Sequence, residues 1–184
     1  TQPALAAISP VSLSVVPPVQ FPPDDYSIAG LRLSVIYGQH RDLYGLDLGV
    51  IGNITEQEFT GIALSGVFNM TKGNTNILGL QAAGLTNINY NKVTVVGLQI
   101  AGGMNINTAE SNVYGIQAAL LANLSDHTTV NGVQLGLYNK AQKVRGLQIG
   151  LVNDTVSLSG LQIGLINFHR QGLFYMSPII NFGF

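Results

Sequence analysis

Cysteine is absent from this sequence, and so is tryptophan. The first absence removes disulfide frameworks, thiol nucleophiles and thiolate metal sites. Charge is scarce: 9% of residues are Asp, Glu, Lys or Arg, against about 25% in an average soluble domain. With a net charge of −1 and no basic run, nucleic acid is not expected as a partner. Proline is nearly confined to the first 29 residues; Pro178 is the exception. No stretch approaches the roughly 18 uninterrupted apolar residues of a transmembrane helix. A transmembrane β-barrel passes that test, because its strands are short and alternating. Apolar content, at 46%, is ordinary. The surface is therefore covered by Asn, Gln, Ser, Thr and Gly, or by a membrane or a protein partner.

What is present is a repeat. The unit Gly-Leu-Gln-Ile-Gly-Leu-x-Asn stands at Gly146–Asn153 and Gly160–Asn167, with a close version at Gly132–Asn139. Looser units begin at Gly30, Gly45, Gly61, Gly79, Gly97 and Gly115. Chains written this way are stacks of near-identical supersecondary units. The 184 residues make one domain in three parts. Residues 1–29, with six of the seven prolines, form an N-terminal cap or edge segment. Residues 30–171 form the repeat domain. Residues 172–184 form an apolar C-terminal capping strand. The Ala-rich opening from Thr1 is consistent with a mature protein whose signal peptide has been removed.

Within a unit the residues alternate. Leu147, Ile149 and Leu151 share one face, while Gln148 and Gly150 share the other, the period-2 signature of a strand with one buried face. A second apolar stretch precedes most of the unit glycines, as at Val144, Val113 and Val95. Each unit is thus two short strands with a bend near its first Gly. The high Gly content and missing 3.6-residue pattern exclude helix. From each motif Asn to the next Gly the steps are 8, 10, 10, 10, 9, 7 and 7. That gradual change and the unvarying motif polarity predict an all-β repeat solenoid of about nine short coils, with Leu, Ile and Val lining the interior. At about 4.8 Å per coil it would be roughly 43 Å long. The alternative is an outer-membrane antiparallel β-barrel, with the Leu/Ile row facing lipid and the Gln row facing the lumen. Ser14–Phe21 (SVVPPVQF) and Tyr175–Phe182 (YMSPIINF) look alike, and pairing them would close such a barrel. The terminal Phe184 also resembles a barrel's last strand, although the missing tryptophan leaves its aromatic girdle thin.

Two rows of amides are the candidate site residues. Asn53, Asn69, Asn87, Asn105, Asn123, Asn139, Asn153 and Asn167 are expected to stack as a structural ladder at a turn. Four of them, Asn53, Asn69, Asn123 and Asn153, stand in Asn-x-Ser/Thr sequons, for which turn chemistry is the preferred reading over glycan attachment. Gln81, Gln99, Gln117, Gln134, Gln148 and Gln162 are expected to form one outward row, either a self-satisfying amide ladder or a binding stripe. Arg32 and Asp47 precede them on that row, as an exposed pair of little weight. His40, His127 and His169 lie far apart, in turn regions and without ligand spacing, so no metal site is expected. The acids are scattered, with Asp24–Asp25 and Glu56/Glu58 the close pairs. Neither paired carboxylates for acid–base work nor a serine nucleophile motif is evident, so no catalytic residue and no cofactor are expected.

The units GLQIGLVN and GLQIGLIN, the opening GLRLSVIYGQHRDLYGLDLGVIGN (Gly30–Asn53) and the ending SPIINFGF resemble bacterial surface-repeat proteins and lipoproteins of the GLQxGLxN type. The resemblance covers nearly the whole chain beyond residue 10. It implies an exported protein at the outer membrane or cell surface, with no catalytic residues. The lipoprotein branch carries a lipidated N-terminal Cys, which has no counterpart in these residues. The units at Gly45, Gly61, Gly79, Gly97 and Gly115 hold one extra residue, for which a β-bulge is expected. Together these features predict a non-enzymatic envelope protein with a structural or protein-interaction role. It would pack as a homo-oligomer or in a larger envelope assembly, with outer-membrane contact. A carbohydrate-binding or carbohydrate-active β-helix is the minor alternative.

Overall fold

One coil is built from two strands and is best seen in the middle of the chain. The long strand Val93–Ala101 bends at Gly97, and the short strand Met104–Asn107 follows a Gly-Gly turn. Each coil therefore has three sides: residues 93–96, residues 98–101 and residues 104–107. The same pieces recur above and below in parallel register, Gly97 beside Gly79 and Gly115, Gln99 beside Gln81 and Gln117. In the computed structural model, which describes residues 7–184, these coils stack into a β-solenoid of about ten turns. Among the described residues there is no helix. Pro3 and the other residues before Ala7, where the N-terminal cap was placed to begin, lie outside the described residues.

The bend explains the invariant glycine of the unit. All nine unit glycines have positive φ, between 108° and 151°. L-residues with a Cβ avoid that region. Stacking adds a second constraint. A Cβ on Gly146 would stand 2.2 Å from the Gly132 carbonyl oxygen of the preceding coil.

The ends close the stack. Ile8–Val16 is a first rung, parallel to Ser27–Ser34, and Val19–Phe21 folds back on it antiparallel. The first repeat strand thus begins at Ser27, and the N-terminal segment is part rung and part cap. At the other end Met176–Gly183 runs antiparallel along Val152–His169. The two proline-bearing end segments cover opposite ends and do not pair, so the chain is a solenoid and not a barrel. The extra residue of the longer units is taken up at a corner rather than in a bulge. Three residues separate the paired positions Ala118 and Ala122, where two separate Leu135 and Tyr138.

The expected facing of the side chains is reversed. The interior aliphatic stack comes mainly from the first side, with Ile28, Leu43, Ile77, Val113, Val130 and Val144 essentially free of solvent, and the other sides add small residues such as Ala63 and Ala141. Beyond the bend the Gln row points in and the Leu/Ile row points out: Gln148 is fully buried, while Ile149 is 36% exposed. The solenoid carries the facing that the sequence reading assigned to the barrel.

Candidate functional site: amide ladders inside, an apolar band outside

The six glutamines placed in an outward binding row are instead core residues. Gln81, Gln99, Gln117, Gln134, Gln148 and Gln162 are all buried. From Gln99 on, each Nε2 donates to the Oε1 of the glutamine one coil earlier, at 2.7–2.8 Å. The physical reason is geometric. Parallel coils bring identical amides to hydrogen-bond distance, so each buried polar group is satisfied by its copy.

The eight asparagines form a second ladder on the third side. From Asn53 to Asn153, each Nδ2 donates to the Oδ1 of the next asparagine at 2.8–3.0 Å. The same Nδ2 also donates to a backbone carbonyl of the next coil, such as that of Ile149 from Asn139 at 2.7 Å. Gly150 leaves room for this; a Cβ there would meet Asn139 Nδ2 at 2.7 Å. With Asn53, Asn69, Asn123 and Asn153 buried, the sequon side chains are closed to glycan transfer.

The two ladders run in opposite directions. Asparagine donors point toward the C-terminal end and glutamine donors toward the N-terminal end, so their amide dipoles oppose one another. Both donor ends are satisfied. Asn167 Nδ2 reaches the carbonyls of Gly164 and Ser177, and Gln81 Nε2 reaches Asn89 Oδ1. Both acceptor ends, Asn53 Oδ1 and Gln162 Oε1, lack a partner.

Arg32 and Asp47 occupy the Gln row in the first coils. They are buried, not exposed. Arg32 makes a two-pronged bond to Asp47, at 2.8 and 2.6 Å, and also donates to the Ile54 carbonyl at 2.8 Å. Burial pushes the Asp47 carboxyl up, against the pull of the guanidinium. His40 is likewise interior, not in an open turn. Its Nε2 lies 3.2 Å from the Pro22 carbonyl and 3.3 Å from Ser12 Oγ. Burial and the nearby Arg32 charge push its pKa down to about 4. His127 is exposed in a turn, and His169 accepts from the Leu158 N–H at 3.1 Å. Among the described residues no group of three His, Asp or Glu is placed to hold a metal.

The exterior is sharply divided. Among the described residues every charge except Arg32 and Asp47 lies in the turns between the third side and the next coil's first side, or on the outer faces of those two sides. There the charges pair locally: Lys72 with Glu56 at 2.8 Å, Arg170 with Asp154 at 2.6 Å, and Lys140 with Asp126. Glu56 and Glu58, the close acidic pair, border a polar depression of about 530 Å³. Both are engaged, Glu56 by Lys72 and Gln39, Glu58 by the Tyr44 hydroxyl at 3.0 Å.

Among the described residues the outer face of the second side and its following corner carry no charge. The second side's outer face is two columns of Leu, Ile, Val and Ala, represented by Leu46, Leu98 and Leu147 in one and Leu48, Ile100 and Ile149 in the other. The corner adds the most exposed aliphatics of the coils: Val50 at 69%, Leu120 at 69% and Leu165 at 65%. Small residues along this corner leave an apolar furrow. It widens to about 1020 Å³ beside the N-terminal hairpin, between Leu13, Phe21, Leu33, Leu48 and Leu64. It continues as a stretch of about 500 Å³ past Ile100, Ala118 and Leu135.

This band was missed in the sequence because its leucines and isoleucines read as core. One signal pointed to it: Val144 and Leu147 have opposite parity, so one apolar row of the two must face out unless the bend reverses the alternation. No protein-family model matches the chain, and neither a curated protein nor a solved structure matches it.

Proposed function

We propose that this chain is a non-enzymatic, exported bacterial envelope protein with a structural or protein-interaction role. Its apolar band is the contact surface through which it packs in an assembly at the outer membrane or cell surface. The exposed band carries this reading. Monomeric soluble proteins rarely leave contiguous apolar patches larger than about 300–600 Å². About ten coils at about 4.8 Å spacing make a strip on the order of 45 Å long and 15–20 Å wide, roughly 800 Å². A rigid, internally hydrogen-bonded stack is suited to hold such a surface in fixed shape. The resemblance of the GLQIGLxN units to surface-repeat proteins supports the location.

The test is a photo-crosslinking residue at Leu137, on the band, in cells that produce the chain, followed by fractionation. Crosslinks in the envelope fraction from Leu137, and none from the same residue placed at Gln57 in the charged turns, are expected. A chain that stays in the cytosolic fraction and crosslinks nothing from Leu137 would sink the proposal.

A further inference from the structure

We infer that the apolar band lies on a lipid surface, with the solenoid axis parallel to the membrane plane and the charged turns facing water. The inference rests on the contact-surface reading above and names its occupant.

The three-sided coil places the charged turns at the vertex opposite the second side. A rod resting on that side desolvates no charge of the side itself: among the described residues its outer face bears none, and the nearest exposed charge, Arg145, stands across the glycine bend in the column of Leu78 and Val96, where its long side chain reaches water. Among the outward side chains of that side's paired columns, from Leu31 to Leu161 and from Leu33 to Ile163, each is aliphatic. A specific protein interface carries about one hydrogen bond per 100–200 Å² and a polar rim that sets register. These columns offer no side-chain donor or acceptor to a partner, whereas a lipid interior asks for none.

Shape points the same way. The apolar surface does not end at the flat side. It turns the corner at Val50 and Leu120, and it turns the glycine bend to Leu78 and Val96, each at least half exposed. A flat second copy would cover the middle columns and leave these convex edges wet. A deformable medium covers all of them. Tyrosines stand along both edges, Tyr44 and Tyr114 beside the bend, Tyr37 and Tyr138 beyond the corner. Amphipathic rings favour the level where hydrocarbon meets water. Among the described residues Arg145 stands at the edge of the band beside the glycine bend but no cationic cluster adjoins it, so neutral lipid suffices and attachment is insensitive to salt.

The chain has no tryptophan, so single-tryptophan variants of the full chain report each surface cleanly. Leu120→Trp and Gln57→Trp are mixed with vesicles of phosphatidylcholine alone. The expected result is a blue shift for Leu120→Trp, quenched by brominated lipid, and no shift for Gln57→Trp. Adding phosphatidylglycerol or salt should change neither. Leu120→Glu combined with Leu151→Glu should lower vesicle partition by at least about tenfold, with an unchanged far-UV circular dichroism spectrum. Three results overturn the inference. A Leu120→Trp emission already blue in buffer, with a sedimenting dimer and no response to vesicles, assigns the band to a second copy and leaves the contact-surface reading standing. A Leu120→Trp emission that stays water-like with and without vesicles overturns the lipid inference and assigns the band to another envelope protein, which the crosslinking at Leu137 tests separately. Binding that requires phosphatidylglycerol and is lost in salt assigns attachment to the charged turns.

Discussion

Arg32 and Asp47 face each other across adjacent coils inside the solenoid, Nη2 to Oδ2 at 2.6 Å, with almost no side-chain exposure. They stand in the row that becomes the glutamine ladder further along. At this end a salt bridge replaces amides as the way to satisfy buried polar groups. Removing one partner strands the other. Asp47→Ala should therefore cost about 3–5 kcal/mol in equilibrium unfolding. The double variant Arg32→Met/Asp47→Leu should cost less than either single truncation, because no charge is left buried. Equal or additive losses would contradict the pair's isolation from solvent.

The ladder predicts an asymmetry between neighbours. Gln148 donates to Gln134 and accepts from Gln162, both at 2.7 Å. Gln148→Leu should cost about 2–4 kcal/mol, since Gln134 Oε1 is left without a donor in a dry interior and Gln162 Nε2 keeps only the Phe168 carbonyl. Ile149→Asn, one residue on, should leave the unfolding midpoint within about 1 kcal/mol of wild type, because the side chain faces out. Denaturant titration of both variants decides which row is inside.

Two glycines of the same repeat position should differ. At Gly146 a Cβ meets a carbonyl oxygen at 2.2 Å, whereas at Gly79 the nearest atom is a side-chain carbon of Ile62 at 3.6 Å. Both have positive φ, 134° and 108°. Gly79→Ala should cost about 1–2 kcal/mol, from the backbone conformation alone. Gly146→Ala adds a backbone collision that must force coils apart, and should cost more than about 3 kcal/mol. Thermal melting of the two proteins measures the gap.

His40 makes the fold acid-sensitive. In the folded chain its pKa is about 4, against 6.5 ordinarily. As pH falls below 6.5 the unfolded chain takes up a proton that the folded chain refuses until about pH 4. Stability from this group is therefore complete above the ordinary value and declines through that window, by up to about 3 kcal/mol. Urea midpoints at roughly pH 7.5 and roughly pH 4.5 should diverge in wild type and diverge less in His40→Gln. An identical slope in the two proteins would place His40 in contact with water.

Much of the architecture was legible in the residues. The unvarying polarity of GLQIGLVN and GLQIGLIN implied coils stacked the same way round, since an antiparallel arrangement would invert every second motif. Stacking of the motif asparagines follows from that, because in-register parallel coils put residue 139 over residue 153. The corner at residues 120–121 was not legible: an inserted residue fits a bulge or a wider turn equally well until the pairing on either side is known.

The amino-acid sequence by itself determined the repeat, its period, the strand character of each piece and the two faces of every strand, because alternation and spacing are local properties. Only the tertiary structure decided which face is inside. Val144 and Gln148 share one face of their bent strand, Arg145 and Leu147 the other, and hydrophobicity alone favours burying Leu147. The stack buries Gln148 instead. An amide inside one coil is an unsatisfied polar group, while the same amide in a column of copies at about 4.8 Å is hydrogen-bonded on both sides. That satisfaction belongs to the assembled solenoid and to no single strand, and it is what leaves the leucines and isoleucines on the outer surface.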